Sequence, residues 1–381
     1  MATKLTKREF LKTAGLGGCG LAFGFGQLQA NSLGIFNPPP PDDLWKWSRE
    51  AIYYIDTPKG IKCKLCPQAC EIKPGETGDC RTRVVKDGKL YTIAYGNPCA
   101  VHIDPIEKKP LNHFYPSSTA FSIATAGCNL ACLNCQNWNI SQIGPKDATN
   151  YDLMPERVVE ECKNQGCKSI AYTYSDPVAY YEYAYDTAVL AKKEGIKNVF
   201  ISAGYINEKP LLDICPYLDA ANIDLKSFSD QIYEMLNAGT LKPVLDTLRT
   251  MKDQGVWLEI TNLVVPDWTD DMDMIREMCE WLLDHSFEDT PLHFSRFQPL
   301  YKLTHLPPTP ASTLEQARKI ALSEGMHYVY IGNVPGTDDE NTYCHHCGKL
   351  AVERKGYRIV SNNISGNKCK SCGGEIPGVW E

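Results

Sequence analysis

Cysteine carries the chemistry of this sequence: 11 of its 17 cysteines fall into three tight groups with the spacing of metal ligands. The central group is Cys128, Cys132 and Cys135, a C-x3-C-x2-C run inside GCNLACLNCQNW. Thiolates are the usual ligands of iron–sulfur clusters, and a loop of this spacing can bring three of them to three irons of a cubane. The fourth iron then lacks a protein ligand, and an open metal position is where a substrate can coordinate. The competing reading is a zinc knot with a distant fourth ligand, although zinc sites favour paired C-x2-C knuckles. The C-terminal group has that pairing: Cys344 and Cys347, then 21 residues, then Cys369 and Cys372. It predicts a four-cysteine zinc ribbon, with a glycine after Cys347 and another after Cys372 to turn the backbone around the ion. His345 and His346 could substitute as ligands, but four cysteines already close the site. The first group, Cys63, Cys66, Cys70 and Cys80, is C-x2-C-x3-C-x9-C and suits either zinc or an auxiliary cluster, with all four cysteines as ligands. The six scattered cysteines (Cys19, Cys99, Cys162, Cys167, Cys215 and Cys279) include several in helix- or strand-like runs, where a buried, inert thiol is the default.

Composition favours metal over disulfides. A chain of 381 residues, 43% of them hydrophobic, is large enough to fold on its own core without the covalent staples of a small secreted domain. The net charge of −7 lowers the case for a nucleic-acid partner without excluding a local groove. No apolar run is long and unbroken enough to span a bilayer.

Positioning these groups requires a scaffold, and the hydrophobic pattern supplies one. Apolar runs at 120–126, 168–174, 198–203, 220–225, 256–265, 292–297 and 328–332 predict strands. Stretches at 155–164, 178–194, 270–285 and 311–324 between them suit helices. Repeated βα units with apolar strands imply a parallel sheet covered by helices, here an open, partial (β/α)6-type barrel of about six or seven units. The active end of such a sheet lies at the C-terminal strand ends. The central cysteines follow the first of these strands directly. Asp224 and Lys226, two apart on a strand, share one face and form either a site pair or a buried structural ion pair.

The stretch DPIEKKPLNHFYPSSTAFSIATAGCNLACLNCQNWNIS resembles the AmmeMemoRadiSam-type radical S-adenosylmethionine (SAM) enzymes, relatives of the pyruvate formate-lyase activating enzymes. The likeness runs from about Cys63 to Trp380. It implies a [4Fe–4S] cluster on Cys128, Cys132 and Cys135, with the amino and carboxylate groups of SAM on the remaining iron. Reductive cleavage of the sulfonium would yield methionine and a 5′-deoxyadenosyl radical. The resemblance also implies that the AYTYSDP turn (171–177) receives the SAM amino group, and that Asp176, Ser202, Asp224 and Lys226 hold the cofactor. Glu259, Asn262, Arg296 and the Gly332–Gly336 turn are further candidates, Glu259 and Arg296 serving equally well as structural ion-pair partners. Two positions depart from the family pattern: Asn134 replaces an aromatic residue before the third cysteine, and Ser175-Asp176 replaces Asn-Glu.

The sequence thus predicts a radical SAM enzyme abstracting hydrogen from an unidentified substrate, supplied with electrons by a flavodoxin or ferredoxin and presented with that substrate by a protein partner, a Memo-like one among the candidates. A non-catalytic metal-binding adaptor and an RNA-modifying radical enzyme are the alternatives. The expected division is a signal-like or flexible arm at 1–30, a four-cysteine module at 42–115, a radical SAM core at 116–335 and the ribbon at 336–381. The arm resembles a twin-arginine export signal with Lys7 in place of the first arginine, and Leu16-Gly17-Gly18-Cys19 resembles a lipoprotein processing box. The chemistry itself belongs in the cytoplasm; a true signal would make the protein exported or lipid-anchored.

Overall fold

The computed structural model describes residues 44–381, so the signal-like arm at 1–30 lies outside the described residues. Strands β1 (Ala100–Pro105), β2 (Thr119–Ala124), β3 (Ser169–Tyr172), β4 (Lys197–Ser202) and β5 (Ala220–Asp224) lie side by side in chain order. They continue through β6 (Trp257–Val264), β7 (Leu292–Arg296) and β8 (Val329–Gly332). The seven strands from β2 onward are parallel, the seven that the apolar runs predict. Only β1 runs antiparallel, paired to β2 from Ala100↔Ala124 to Pro105↔Thr119. No pairing among the described residues joins β8 to β1, so the barrel is open.

Helices α1 (Pro155–Asn164), α2 (Tyr181–Lys193), α3 (Glu208–Ile214), α4 (Leu241–Asp253), α5 (Met272–Asp284) and α6 (Ala311–Glu324) fill the connections. Each turns an apolar stripe to the sheet. In α1, Pro155 opens the first turn, where its missing N–H costs nothing, and Val158, Val159 and Cys162 are buried. Cys162, Cys167, Cys215 and Cys279 are all buried, as expected of inert core thiols.

Alternation along the strands separates two layers. Phe121, Ile170, Tyr172 and Phe200 join the helix-facing core, whereas Ala120, Ala171, Val199 and Ala220 join a second cluster with Ile106, Leu111 and Phe114. Small side chains on the inner face thus leave room for the segment after β1 to plug the N-terminal end of the barrel. Glu259, fully buried, pins that plug: its carboxylate accepts from the backbone N–H of Asn112 (2.8 Å) and His113 (2.7 Å) and from His293 Nε2 (2.6 Å). Burial opposes its charge, but these donors hold its pKa below the ordinary value. Glu259 is therefore a structural anchor at the closed end. The C-terminal segment returns to the same place, where Phe114 bridges Val379 and the Pro377 carbonyl meets His113 Nδ1 at 2.7 Å.

Two small three-stranded sheets carry the N-terminal cysteines, and short antiparallel strands carry the ribbon. Strand β1, from within the expected four-cysteine module, pairs with the edge of the barrel sheet. Its AVHIDP sequence, interrupted by His102 and Asp104, lacks the continuous apolar run that marks the parallel strands. That is what an edge strand needs, having one flank open.

Candidate active site

The C-terminal strand ends gather the polar residues. Beyond β2, Gly127 has φ +107°, and a Cβ there would lie 2.4 Å from the Cys80 carbonyl oxygen, so only glycine fits. The loop it opens is clamped by its neighbours: Ala131 N–H donates to Asn237 O (3.0 Å) and Leu133 N–H to Leu236 O (2.8 Å). Within it Cys132 is buried, while Cys128 and Cys135 are partly so. Leu130 N–H points at Cys128 Sγ (3.4 Å), and Cys135 Sγ lies 3.0 Å from Ser141 Oγ. Burial drives the Cys128 thiol well up and raises Cys132 as well. Thiols so placed stay protonated until a metal displaces the proton.

Asp176 follows β3 and is tied to the end of β4. Its carboxylate accepts from Val178 N–H (3.0 Å), Ala203 N–H (2.8 Å) and Ser202 Oγ (3.0 Å). Burial raises its pKa and these donors counter the rise. The Ser202 hydroxyl oxygen in turn accepts from Gly204 N–H (3.0 Å). Asp176 and Ser202 are thus consumed by each other and by the backbone. Ser175 Oγ donates to Thr125 O (2.7 Å), and Asn137 Nδ2 to Tyr174 O (2.8 Å), so the AYTYSDP turn packs onto the cysteine loop.

Asp224 ends β5, and Lys226 Nζ meets its carboxylate at 2.8 Å. Both side chains retain some exposure, 38% and 20%. Burial works against the lysine charge, but Asp224 and Cys132 together raise its pKa. The ammonium is therefore within electrostatic reach of a triad sulfur. Tyr233 Oη accepts from Lys226 N–H (3.0 Å) and fixes this residue from the far side. Arg296 is occupied by the Thr309 carbonyl (2.8 Å).

Buried amides complete the surroundings. Asn262 Nδ2 donates to Leu225 O (2.8 Å), but its Oδ1 makes no hydrogen bond among the described residues. Asn134 Oδ1 is likewise unpartnered, and the Asn237 side chain lies against Cys132. Unpaired buried polar atoms are costly, and their concentration around three thiols fits a polar ligand bound against the loop. Asn237 carried no motif signal in the sequence; only the strand order brings its segment to the loop.

The family model of the Radical SAM superfamily matches residues 122–282, the span from β2 through most of α5. An uncharacterized protein of Methanocaldococcus jannaschii, MJ0808, is 46% identical over 332 residues, covering 86% of this chain and 98% of its own. The pyruvate formate-lyase 1-activating enzyme of Escherichia coli K12 is 26% identical over 210 residues, 51% of this chain and 85% of that one. This chain belongs to the radical SAM superfamily. Among solved structures, a domain of the pyruvate-formate lyase-activating enzyme from Bacteroides vulgatus aligns at a TM-score of 0.38 with 13% identity, covering 43% of this chain and 99% of that one. As a radical SAM enzyme related to the activating enzymes, the protein performs SAM-dependent radical chemistry, and its family implies a [4Fe–4S] cluster.

The ribbon of this radical SAM enzyme has a different geometry. Cys344 and Cys372 sulfurs lie 3.8 Å apart and Cys347 and Cys369 sulfurs 3.9 Å apart, with all four within 4.8 Å of one another. Zn–S bonds of about 2.3 Å at tetrahedral angles place sulfurs about 3.8 Å apart. The two knuckles are alike: Gly348 N–H donates to Cys344 O and Gly373 N–H to Cys369 O, each at 2.8 Å. His345 turns instead to Tyr328 Oη (2.7 Å). No helix among the described residues is long and apolar enough to cross a membrane.

Proposed function

We propose that Cys128, Cys132 and Cys135 hold a [4Fe–4S] cluster and that the enzyme cleaves SAM reductively to a 5′-deoxyadenosyl radical, which abstracts hydrogen from a substrate carried by a protein partner. The observation that carries this reading is three thiols on one loop at the C-terminal strand ends, beside an ion pair and, among the described residues, unpaired buried amide oxygens. When bound, the cluster supplies one electron and a vacant iron for the amino and carboxylate groups of SAM.

The chain's own residues divide the remaining work. Lys226, within electrostatic reach of Cys132, offsets thiolate charge and offers its ammonium to the SAM carboxylate. Asp224 keeps Lys226 in place and accepts from the ribose hydroxyls. Asp176 and Ser202, already saturated, act as positioning residues: they set the AYTYSDP turn whose backbone takes the SAM amino group. Asn262 and Asn134, each with a free amide oxygen, accept from the bound nucleoside, Asn134 doing so where relatives place an aromatic ring.

A protein-borne substrate is supported by the E. coli relative, named for activating another enzyme, and by the AmmeMemoRadiSam-like motifs, which point to a Memo-like partner. The half-exposed Trp138, stacked on Tyr301 beside the cysteine loop, offers an aromatic contact for it. A reduced flavodoxin or ferredoxin supplies the electron, the cytoplasm is the site of the chemistry, and the ribbon holds zinc. The core extends from β1 through β8, with the four-cysteine module before it and the ribbon after.

Anaerobic reconstitution with iron and sulfide, then incubation with SAM and a reductant, tests the reading. Methionine and 5′-deoxyadenosine should form with the parent and not with the Cys128/Cys132/Cys135→Ala variant. Equal product from both would refute the role of the triad, and no product from either would leave a non-catalytic metal-binding adaptor as the better description.

A further inference from the structure

The N-terminal cysteines converge on one enclosed, almost wholly apolar pocket. Cys63, Cys66, Cys70 and Cys80 all line it, joined by Arg83 from the module and Asn129 from the triad loop. Every sulfur has a hydrogen-bond donor. Cys63 receives the Leu65 N–H, Cys66 the Gln68 N–H and the Asn129 side chain. Asp79 N–H points at Cys70 Sγ (3.5 Å) and Thr82 Oγ1 at Cys80 Sγ (3.2 Å). On the solvent side Cys70 also contacts the Asp79 carboxylate (3.4 Å). Hydrogen bonds to the ligand sulfurs are a regular feature of iron–sulfur sites.

A second observation points the same way. Arg83, 2% exposed, pairs with the equally buried Glu182 (Nη1···Oε1 2.8 Å, Nη2···Oε2 2.7 Å). Its Nε makes no hydrogen bond among the described residues, although the side chain lines the pocket near Cys63 and Cys80. An unpaired buried donor on a cation beside four sulfurs is matched by an anionic, sulfur-rich occupant.

Size distinguishes the occupant from the ribbon's ion. The ribbon sulfurs fall within 4.8 Å of one another, and among the described residues the four N-terminal sulfurs form no such group. A polynuclear cluster holds its ligands further apart than one tetrahedral ion does. Resting on the triad reading above, we infer that Cys63, Cys66, Cys70 and Cys80 bind a second iron–sulfur cluster, seated against the loop that holds the first. Capped on every iron by protein, it has no position for SAM, so its chemistry is confined to taking up and returning an electron.

The two sites share structure. Asn129 is the residue after Cys128; its carbonyl accepts from Gln68 Nε2 (3.0 Å), and its Nδ2 donates to Tyr205 O (2.7 Å). The Cys80 carbonyl packs on Gly127, the residue before Cys128. Two clusters this close should couple magnetically when both are reduced.

Iron, sulfide and zinc analysis of the reconstituted full chain provides the test. The Cys128/Cys132/Cys135→Ala variant should keep about half the parent's iron, and a Cys63/Cys66/Cys70/Cys80→Ser variant the other half, with zinc unchanged in all. An iron-free triad variant, or a quadruple variant that loses zinc and no iron, would overturn the second cluster while leaving the triad reading intact. Parent iron that survives the triad substitutions undiminished would instead count against the triad. Should the quadruple variant not fold, Cys70→Ser, at the half-buried edge, is read by electron paramagnetic resonance. One of two reduced signals should change while the other keeps its response to SAM; a spectrum identical to the parent's would refute the inference.

Discussion

The triad loop and the ribbon use the same ligand at opposite ends of the strands and arrive at opposite outcomes. The ribbon brings four sulfurs to zinc spacing from two matching knuckles, and the first cysteine of each knuckle is buried while the second is exposed. The triad offers three sulfurs from one loop, and around them stand a paired lysine and amides with unused acceptors. A closed set of ligands needs only geometry and serves stability. An open set requires a second shell ready for whatever completes it, which is why unsatisfied polar atoms concentrate there. Closing the fourth position is the whole difference between a structural metal and a reactive one.

Removing ligands breaks this comparison most directly. Cys132→Ala should abolish SAM cleavage, with a fall of at least ~100-fold measured by 5′-deoxyadenosine release, and leave the zinc content unchanged. Cys369→Ser should do the reverse. It should release the zinc proposed for the ribbon and destabilise that module, because metal binding is folding energy in such a motif. Trp380, packed in the ribbon core, reports that loss by fluorescence.

The joint between ribbon and barrel sharpens the contrast through pH. His113 is buried, with Nδ1 donating to the Pro377 carbonyl and Nε2 accepting from Tyr330 Oη (2.6 Å), an arrangement that requires the neutral ring. Burial pushes its pKa down to about 4, below the ordinary value near 6.5. The unfolded chain therefore binds a proton that the folded one refuses, and stability is full above about pH 6.5 and lost as pH falls towards 4. The expected loss is about 3 kcal/mol, measured by denaturant unfolding across that range, and His113→Gln should flatten it. The smallest effect belongs to the reactive end. Asp224→Asn should weaken SAM binding roughly tenfold, read by equilibrium titration, without changing iron content.

How much of this was legible in the sequence depended on how local each signal was. The seven parallel strands stood out because burial on both faces demands unbroken apolar runs, and the helices at 155–164 and 311–324 matched their boundaries residue for residue. Strand β1 was missed because an edge strand with His102 and Asp104 carries no such run. Helix α4, with Pro243 in its first turn, also went unnamed. The cysteine groups announced themselves by spacing. Pair partners did not: Asp176 and Ser202, 26 residues apart, were both singled out as cofactor contacts, yet the fold joins them to each other. The buried pair of Arg83 with Glu182 and the place of Asn237 at Cys132 were invisible, because such partners meet only in the assembled interior and leave no mark in composition.

The most direct measurement of the central claim is the electron paramagnetic resonance spectrum of the reduced, reconstituted enzyme before and after SAM is added, in the parent and in the Cys128/Cys132/Cys135→Ala variant. The account predicts a signal that SAM shifts in the parent, and no SAM-sensitive signal in the variant. A parent spectrum indifferent to SAM would mean that no iron is open to it, and would contradict the account at its root.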